Sequence, residues 1–471
     1  MSTCAPCDTP EIQAMPDCHR KDAFRCFPSR LGPLTALCLL GMSSGLRAQD
    51  GLAPRLGGYV KGYAFEQAVD PYDLQRAGAR LQLQLSGGSG EPAAYFGAFD
   101  FELDSASSRS GDPLQRDVGF EIYPVELYLN LTLGPLELRV GKQFVFWGRT
   151  AWVNPTDVIS AWDYAHIASE IEDYRVAPAA LRLSWYAIDE LLVDLVWVPL
   201  FQPHRIPMVV PERMGELPVL RQSARTPDLA LTSTELGLRV SHAISSLALD
   251  WALAGYVGYD KNPTISVAPR LEPIVMGPPG TPPVMIPTAL IWQERYQRLV
   301  MVGGDLQKAL GPFVLKAEVA LKAHPDLDAT GLPEDPTGAQ GVIGVDYVFS
   351  ENLDLGLQYV ATGLLGYDVD EERTRLERQM GRAPVFVDEA LTHQVTARVN
   401  FKLLPELGGQ VLALYDVTYV DFMVLGFVWW DIADALKLYL GALAFGGADG
   451  NTPMARQADF SQVFAELKLS F

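Results

Sequence analysis

The sequence predicts a membrane-spanning, antiparallel up-and-down β-barrel, all-β, of about eighteen strands with about sixteen as the alternative. Three observations carry this. From position 57 to the C-terminus, segments of roughly ten residues alternate apolar and polar side chains. The connections between these segments alternate short and long. The final segment ends in a phenylalanine that completes its own alternation.

The first 49 residues stand apart. Arg20, Lys21, Arg25 and Arg30 precede the apolar run 31–40, small residues follow, and Ala48 offers a cleavage position. This reads as a secretory signal peptide with an overlong basic region, for which Met15 would give a better start. All five cysteines lie here. Cys4 and Cys7 have the spacing of a metal or redox pair, but no second ligand pair follows at zinc-site spacing. Cys38 follows Leu37 rather than a small residue, which argues against a lipoprotein anchor. Residues 50–471 form the barrel. Their chain is acidic: the whole protein carries a net charge of −20 and a pI near 4.7. Such a balance excludes a nucleic-acid partner, since nothing would neutralise phosphates. Mean hydropathy is only +0.08, and no later run reaches the ~18–20 apolar residues of a membrane helix.

The strands come in order. Leu81, Leu83 and Leu85 oppose Arg80, Gln82 and Gln84; Leu127, Leu129 and Leu131 oppose Glu126, Tyr128 and Asn130. Leu136, Leu138 and Val140 oppose Glu137 and Arg139, and Leu181 and Leu183 flank Arg182. Leu236 and Leu238 alternate with Glu235 and Arg239; Val395, Ala397 and Val399 alternate with Thr396, Arg398 and Asn400. Side chains two apart share a face, so one face of every strand is apolar and the other carries charges of both signs. A lipid-facing exterior and a polar lumen explain that better than a soluble sandwich.

Expected strands are 57–67, 77–85, 94–103, 119–132, 136–144, 179–186, 191–197, 233–241, 247–259, 291–308, 313–322, 341–349, 353–364, 391–402, 409–419, 421–430, 436–445 and 461–471. Short joins such as Gly134-Pro135, Gly311-Pro312 and 350–352 alternate with the long ones 104–118, 145–178, 198–232, 260–290, 323–340, 365–390 and 446–460. Short periplasmic turns and long extracellular loops give this parity in outer-membrane barrels. The short join 419–421, where a long one is due, keeps sixteen strands open. Leu467, Leu469 and Phe471 form the stripe of a closing strand of the kind read by the barrel-insertion machinery. Aromatics near strand ends, among them Tyr59, Tyr63, Tyr256, Tyr359, Tyr415 and Trp430, suit interfacial girdles. The proline-rich stretches 199–227 and 263–287 are expected as extended loops that join no ladder.

Catalytic and cofactor motifs are missing: there is no GxSxG, P-loop, HExxH or dinucleotide fingerprint. His393 beside Asp388 and Glu389 is the nearest approach to a hydrolase constellation, and reads as a solvated loop residue. The acidic runs 170–173 and 368–372 are read as solvated loop faces, with bound calcium or cation-bridged lipid phosphates as alternatives. No enzyme, cofactor or metal is expected.

The stretch 141–174 breaks the pattern. It sets Trp147, Trp152 and Trp162 among Asn154, Asp157, Glu170 and Asp173, with a turn-forming Asn154-Pro155-Thr156-Asp157. By parity it is the third extracellular loop. Three tryptophans need burial, so loop 145–178 is expected to fold into the lumen; a loop tucked over the mouth is the alternative. Arg139, Gln143, Arg149, Asp157 and Arg182 are the expected constriction contacts, with Trp147, Asn154, Glu137, Arg239 and Arg398 nearby on the loop or lumen wall. Arg80 and Arg298 are also expected to face inward.

The residues Val140-Gly141-Lys142-Gln143, Trp147-Gly148-Arg149, Asn154-Pro155-Thr156-Asp157 and the continuation over 176–207 resemble a loosely defined group of bacterial outer-membrane barrels, the alginate-export-like and porin-like channels. The resemblance covers about residues 136–207. It implies a transport barrel in the bacterial outer membrane. The expected function is a passive channel for small hydrophilic solutes. Export of a polysaccharide, passage of a hydrophobic compound, or a non-conducting surface scaffold are the alternatives. Expected partners are outer-membrane lipid and lipopolysaccharide, the insertion machinery, and a small solute or oligosaccharide.

Overall fold

The computed structural model describes residues 53–70, 72–88, 92–105, 119–150, 152–206, 210, 212–214, 216–274, 282–327, 335–380 and 387–471. The expected signal peptide and all five cysteines lie outside the described residues. Eighteen strands form one antiparallel sheet that closes on itself. We number the barrel strands β1 (Arg55–Gln67), β2 (Leu74–Gly87), β3 (Ala93–Asp104), β4 (Gly119–Leu133), β5 (Leu136–Lys142), β6 (Ala179–Ile188), β7 (Leu191–Val198), β8 (Glu235–Ile244) and β9 (Leu249–Tyr259). There follow β10 (Arg298–Leu310), β11 (Phe313–Ala323), β12 (Gly338–Ser350), β13 (Leu353–Leu364), β14 (Leu391–Leu404), β15 (Leu407–Asp416), β16 (Asp421–Ala433), β17 (Leu436–Gly447) and β18 (Gln462–Ser470). Each pairs with its chain neighbours, and β18 pairs with β1 to close the ring. Backbone bonds between Gly58 and Phe471, 3.0 Å in both directions, finish the seam. A Cβ at Gly58 would lie 2.0 Å from the Gln82 carbonyl oxygen, so glycine is what lets β1 lie this close to β2 beside the seam.

The burial pattern inverts that of a soluble protein. Val60, Leu85, Leu253, Val302, Ile343, Leu357, Leu467, Leu469 and Phe471 stand exposed on the outside. On the alternate positions Lys61, Arg80, Asp100, Glu126, Arg239, Glu318 and Glu466 are buried within. Hydrocarbon outside requires this, and closure of the ring satisfies the ladder bonds that lipid cannot.

Differences from expectation have local causes. The short join after β15 is an Asx turn: the Asp416 carboxylate accepts the amides of Thr418 (2.9 Å) and Tyr419 (3.0 Å), which folds the chain straight into β16. That settles eighteen strands over sixteen. The segment expected as one strand, 291–308, is two. Val284–Arg295 ends before β10 and belongs to a separate four-stranded sheet with Thr264–Ile274, Leu217–Arg221 and Arg213–Met214. The proline-rich stretches therefore do join a ladder. Pro269 and Pro273 sit on its edge strand, where one face of the backbone needs no partner, and Pro287 lies at a register shift. Tyr59, Tyr63 and Tyr256 point inward and are buried rather than forming a girdle, whereas Tyr359, Tyr415 and Trp430 are exposed outside. Arg298 falls in phase with outward Val300 and Val302, not the lumen; it folds over the Tyr259 ring at 4.1 Å and donates to the Thr232 carbonyl. Loop 365–390 contains a helix, Val369–Met380, whose amides at 370 and 371 are capped by the Asp368 side chain at 2.9 and 3.0 Å.

One irregularity positions the rest. β5 has seven residues, fewer than the ~9–11 of a spanning strand. Its ladder with β4 stops at the pair Leu127–Lys142, while β4 runs on to Gly119. The chain therefore leaves the wall part-way up, and segment 143–178 begins inside the height of the barrel.

Candidate functional site: the loop between β5 and β6

Two sets of contacts tie segment 143–178 to the wall, and they lie half-way round the ring from one another. The first is at its root. Trp147 and Gly148 bring the chain against β8 to β11. Gly148 has φ +85°, and a Cβ there would lie 2.7 Å from both Glu318 carboxylate oxygens. Glycine is required on both counts. Glu318, an inward residue of β11, accepts the amides of Arg149 (3.1 Å) and Thr156 (2.8 Å) and the hydroxyls of Thr150 (3.0 Å) and Thr156 (2.8 Å). One buried carboxylate thus organises both sides of the 150–156 turn. Asn154 closes it: its side-chain oxygen accepts from the Thr150 hydroxyl at 2.7 Å, and its carbonyl from the Asp157 amide at 3.1 Å. Arg149 reaches Asp305 on β10 (2.9 Å) and Asp250 on β9 (3.1 Å). Around these groups Val145, Trp147, Val158 and Ile159 pack on Val196, Val198, Ala254, Tyr256, Met301 and Ala320 of the inner wall. The Trp147 ring occupies the space above Gly237, where a Cβ would stand 2.7 Å from it.

The second set is at the tip. Lys61 of β1 donates to Glu170 (2.8 Å) and Asp173 (2.5 Å), with Glu466 of β18 at 3.9 Å. Arg80 of β2 bonds Asp173 at 2.8 Å, Lys468 of β18 bonds Glu170 at 2.8 Å, and the Tyr439 hydroxyl of β17 bonds Glu170 at 3.1 Å. The Ser169 hydroxyl donates to Glu466. Trp152, Ile167 and Ala168 cover an apolar strip of inward side chains: Phe65, Leu412, Leu425, Leu443 and Phe464. A segment held by β8 to β11 at one end and by β17, β18, β1 and β2 at the other crosses the interior of the ring.

The return limb is a two-residue ribbon, Ala161–Trp162 with Arg175–Val176. Arg175 lies between the rings of Phe146 (4.1 Å) and Trp162 (4.4 Å) and pairs with Asp157 at 2.5 Å. Loop 199–234 braces it, with Arg205 on Asp163 at 3.1 Å. The Trp162 amide donates to His204 Nδ1 at 2.9 Å, which requires an unprotonated nitrogen; burial holds that imidazole down, to about 4.

Burial alone would raise the Glu170 and Asp173 carboxyls. Lys61 above all overrides it, with Lys468 adding to the effect at Glu170 and Arg80 at Asp173, and both lie below the ordinary range. At Asp157 burial prevails over Arg175, and the carboxyl is raised.

The expected contacts thus divide. Arg149 stands in the lumen between two carboxylates. Gln143 is fully buried, donating to the Ala180 carbonyl at 3.0 Å, Trp147 is buried in the loop's own packing, and the Asp157 carboxylate is buried against Arg175. Arg139 lies on β5 below the loop, paired with Glu137 (3.0 Å) over the Tyr128 ring; Arg182 pairs with Asp194 (2.6 Å), Arg239 with Asp305 (2.6 Å), and Arg398 with Asp354 (3.3 Å). Each is partnered on the inner wall and none is drawn to the loop tip. His393 lies against the Tyr359 hydroxyl at 2.6 Å on the outside of the barrel. The residues missed were the tip's partners Lys61 and Lys468. Their inward phase is legible, but not which loop would meet them. Glu170 and Asp173 sit in an acidic run expected to be solvated.

No protein-family model and no curated protein sequence matches this chain. Solved structures do. Pseudomonas aeruginosa OpdK, in its crystal structure with vanillate, superposes with a TM-score of 0.52 at 9% identity, covering 89% of this chain and 98% of that one. Acinetobacter baumannii OccAB1 gives 0.50 at 9% identity, covering 90% and 96%. OpdK is described as an outer membrane protein. The likeness is one of fold. With its apolar exterior, charged interior and eighteen closed strands, this chain has the build of a membrane-spanning β-barrel.

Proposed function

We propose that the protein is a passive outer-membrane channel for small hydrophilic solutes, and that loop 143–178 forms its constriction. The carrying observation is the attachment of that loop to opposite inner walls. A segment that only covered the mouth would not meet Glu318 and Lys61 at its two ends. Supporting it, the partly exposed pairs Arg139–Glu137, Arg182–Asp194 and Arg398–Asp354 leave a polar but locally neutral inner wall, suited to hydrophilic solutes and poorly suited to gripping a polyanion. No cofactor enters this reading. The test is conductance in a planar bilayer. Steady unitary currents are expected from the intact protein, and a larger unitary conductance after removal of 152–169. Absence of current in either orientation would point to a scaffold; unchanged conductance on deletion would remove the constriction.

A further inference from the structure

We infer that the path past the loop prefers cations over anions, a specificity that rests on the channel reading above. The charges of the loop itself are unequal: Asp157, Asp163, Glu170, Glu172 and Asp173 stand against Arg149 and Arg175. The walls do not redress this. At the tip Lys61, Arg80 and Lys468 meet Glu170, Asp173 and Glu466, three charges against three, so the wall there leaves the exposed Glu172 unbalanced. At the root Arg149 meets both Asp250 and Asp305, while Arg239 also leans on Asp305 and Glu318 is engaged with amides and hydroxyls.

The second observation concerns the lumen arginines. Arg139, Arg182, Arg239 and Arg398 come from separate strands, and each lies against a carboxylate. A mobile anion arriving at any of them would compete with a fixed one. Glu172, by contrast, is exposed on the turn Ile171–Asp173 beside the tip, and has no ion-pair partner among the described residues. A narrow path in a low-dielectric wall focuses the field of such an imbalance, raising the local concentration of counter-ions. The class favoured is small cations, inorganic or amine-bearing.

The experiment is the reversal potential of the full chain in a bilayer under a potassium chloride gradient. The expected sign is that of a cation-preferring pore. Glu172 makes no anchoring contact, so Glu172→Lys changes the charge while leaving both anchors in place. It should lower the cation-to-anion permeability ratio by roughly two- to four-fold, and more at low salt than at high. Glu172→Gln should fall between. A conducting pore with anion preference or none, or a ratio unmoved by Glu172→Lys, overturns the selectivity and leaves the channel standing. No conductance at all overturns the channel reading, and the selectivity with it.

Discussion

The two anchors hold one loop by different physics. At the root a single carboxylate, Glu318, gathers backbone amides and hydroxyls, and an apolar cluster around Trp147 closes over it. At the tip the bonds join charged side chains, Glu170 and Asp173 to Lys61, Arg80 and Lys468. The first resembles the inside of a folded domain, where shape and hydrogen-bond count dominate. The second is a clasp of ion pairs, set partly against an apolar strip. Such a loop is positioned by its root and closed by its tip.

The largest effect is expected from emptying the root. Glu318→Ala would strand the amides of Arg149 and Thr156 and the Thr156 hydroxyl, at about 1–3 kcal/mol for each buried donor left unpaired. Loop amides should then exchange quickly with deuterium along its whole length, and the unitary current should become large and noisy. Protection unchanged over 147–159 would show that the apolar cluster holds the root without Glu318. Lys61→Met comes next. It leaves Glu170 and Asp173 facing Glu466 without their shared ammonium, and breaking a buried pair from one side costs about 3–5 kcal/mol. Arg80 and Lys468 remain to offset part of this. The expected outcome is selective: faster exchange over 165–173, protection kept at 147–159, and current that flickers between two levels. If root and tip loosen together, the two anchors are one cooperative unit and the distinction fails.

The contrast also explains what the sequence made legible. Strand phase follows from period-two alternation, so the inward direction of Arg139, Arg182, Glu318 and Arg398 could be read directly. The turn chemistry of Asn154-Pro155 and the burial demand of Trp147 and Trp152 were equally local. Pairings across the lumen were not, because Lys61 and Asp173 are far apart in sequence and nothing local distinguishes a docked acid from a solvated one. Gln143 and Asp157 were misplaced for a related reason: polar residues in a loop look available, yet here one bonds the Ala180 carbonyl and the other Arg175. The sheet built from loops 199–234 and 260–297 was hidden by its prolines, which mark edges as readily as breaks.

The smallest effect, and the sharpest separation of the anchors, comes from pH. Glu170 and Asp173 are held below their ordinary values of 4.5 and 3.8 when docked. A depressed carboxyl stabilises the docked state fully above its undocked pKa, and that contribution is lost as pH falls through the lower, docked value. Asp157 is raised above its ordinary 3.8 by burial. Its sign is opposite: its contribution is greatest at low pH and declines as pH rises through the raised value. Acidification from neutrality toward about 4.5 should therefore leave the tip closed and, if anything, steady the root. Only below the ordinary carboxylate range should the tip release, giving the flickering expected of Lys61→Met in otherwise intact protein. Current noise recorded in steps from pH 7 downward, with exchange measured over 147–159 and 165–173 at the same steps, tests the order. A root that loosens before the tip would contradict the raised Asp157 and show that the Lys61 clasp is not the acid-sensitive end of the loop.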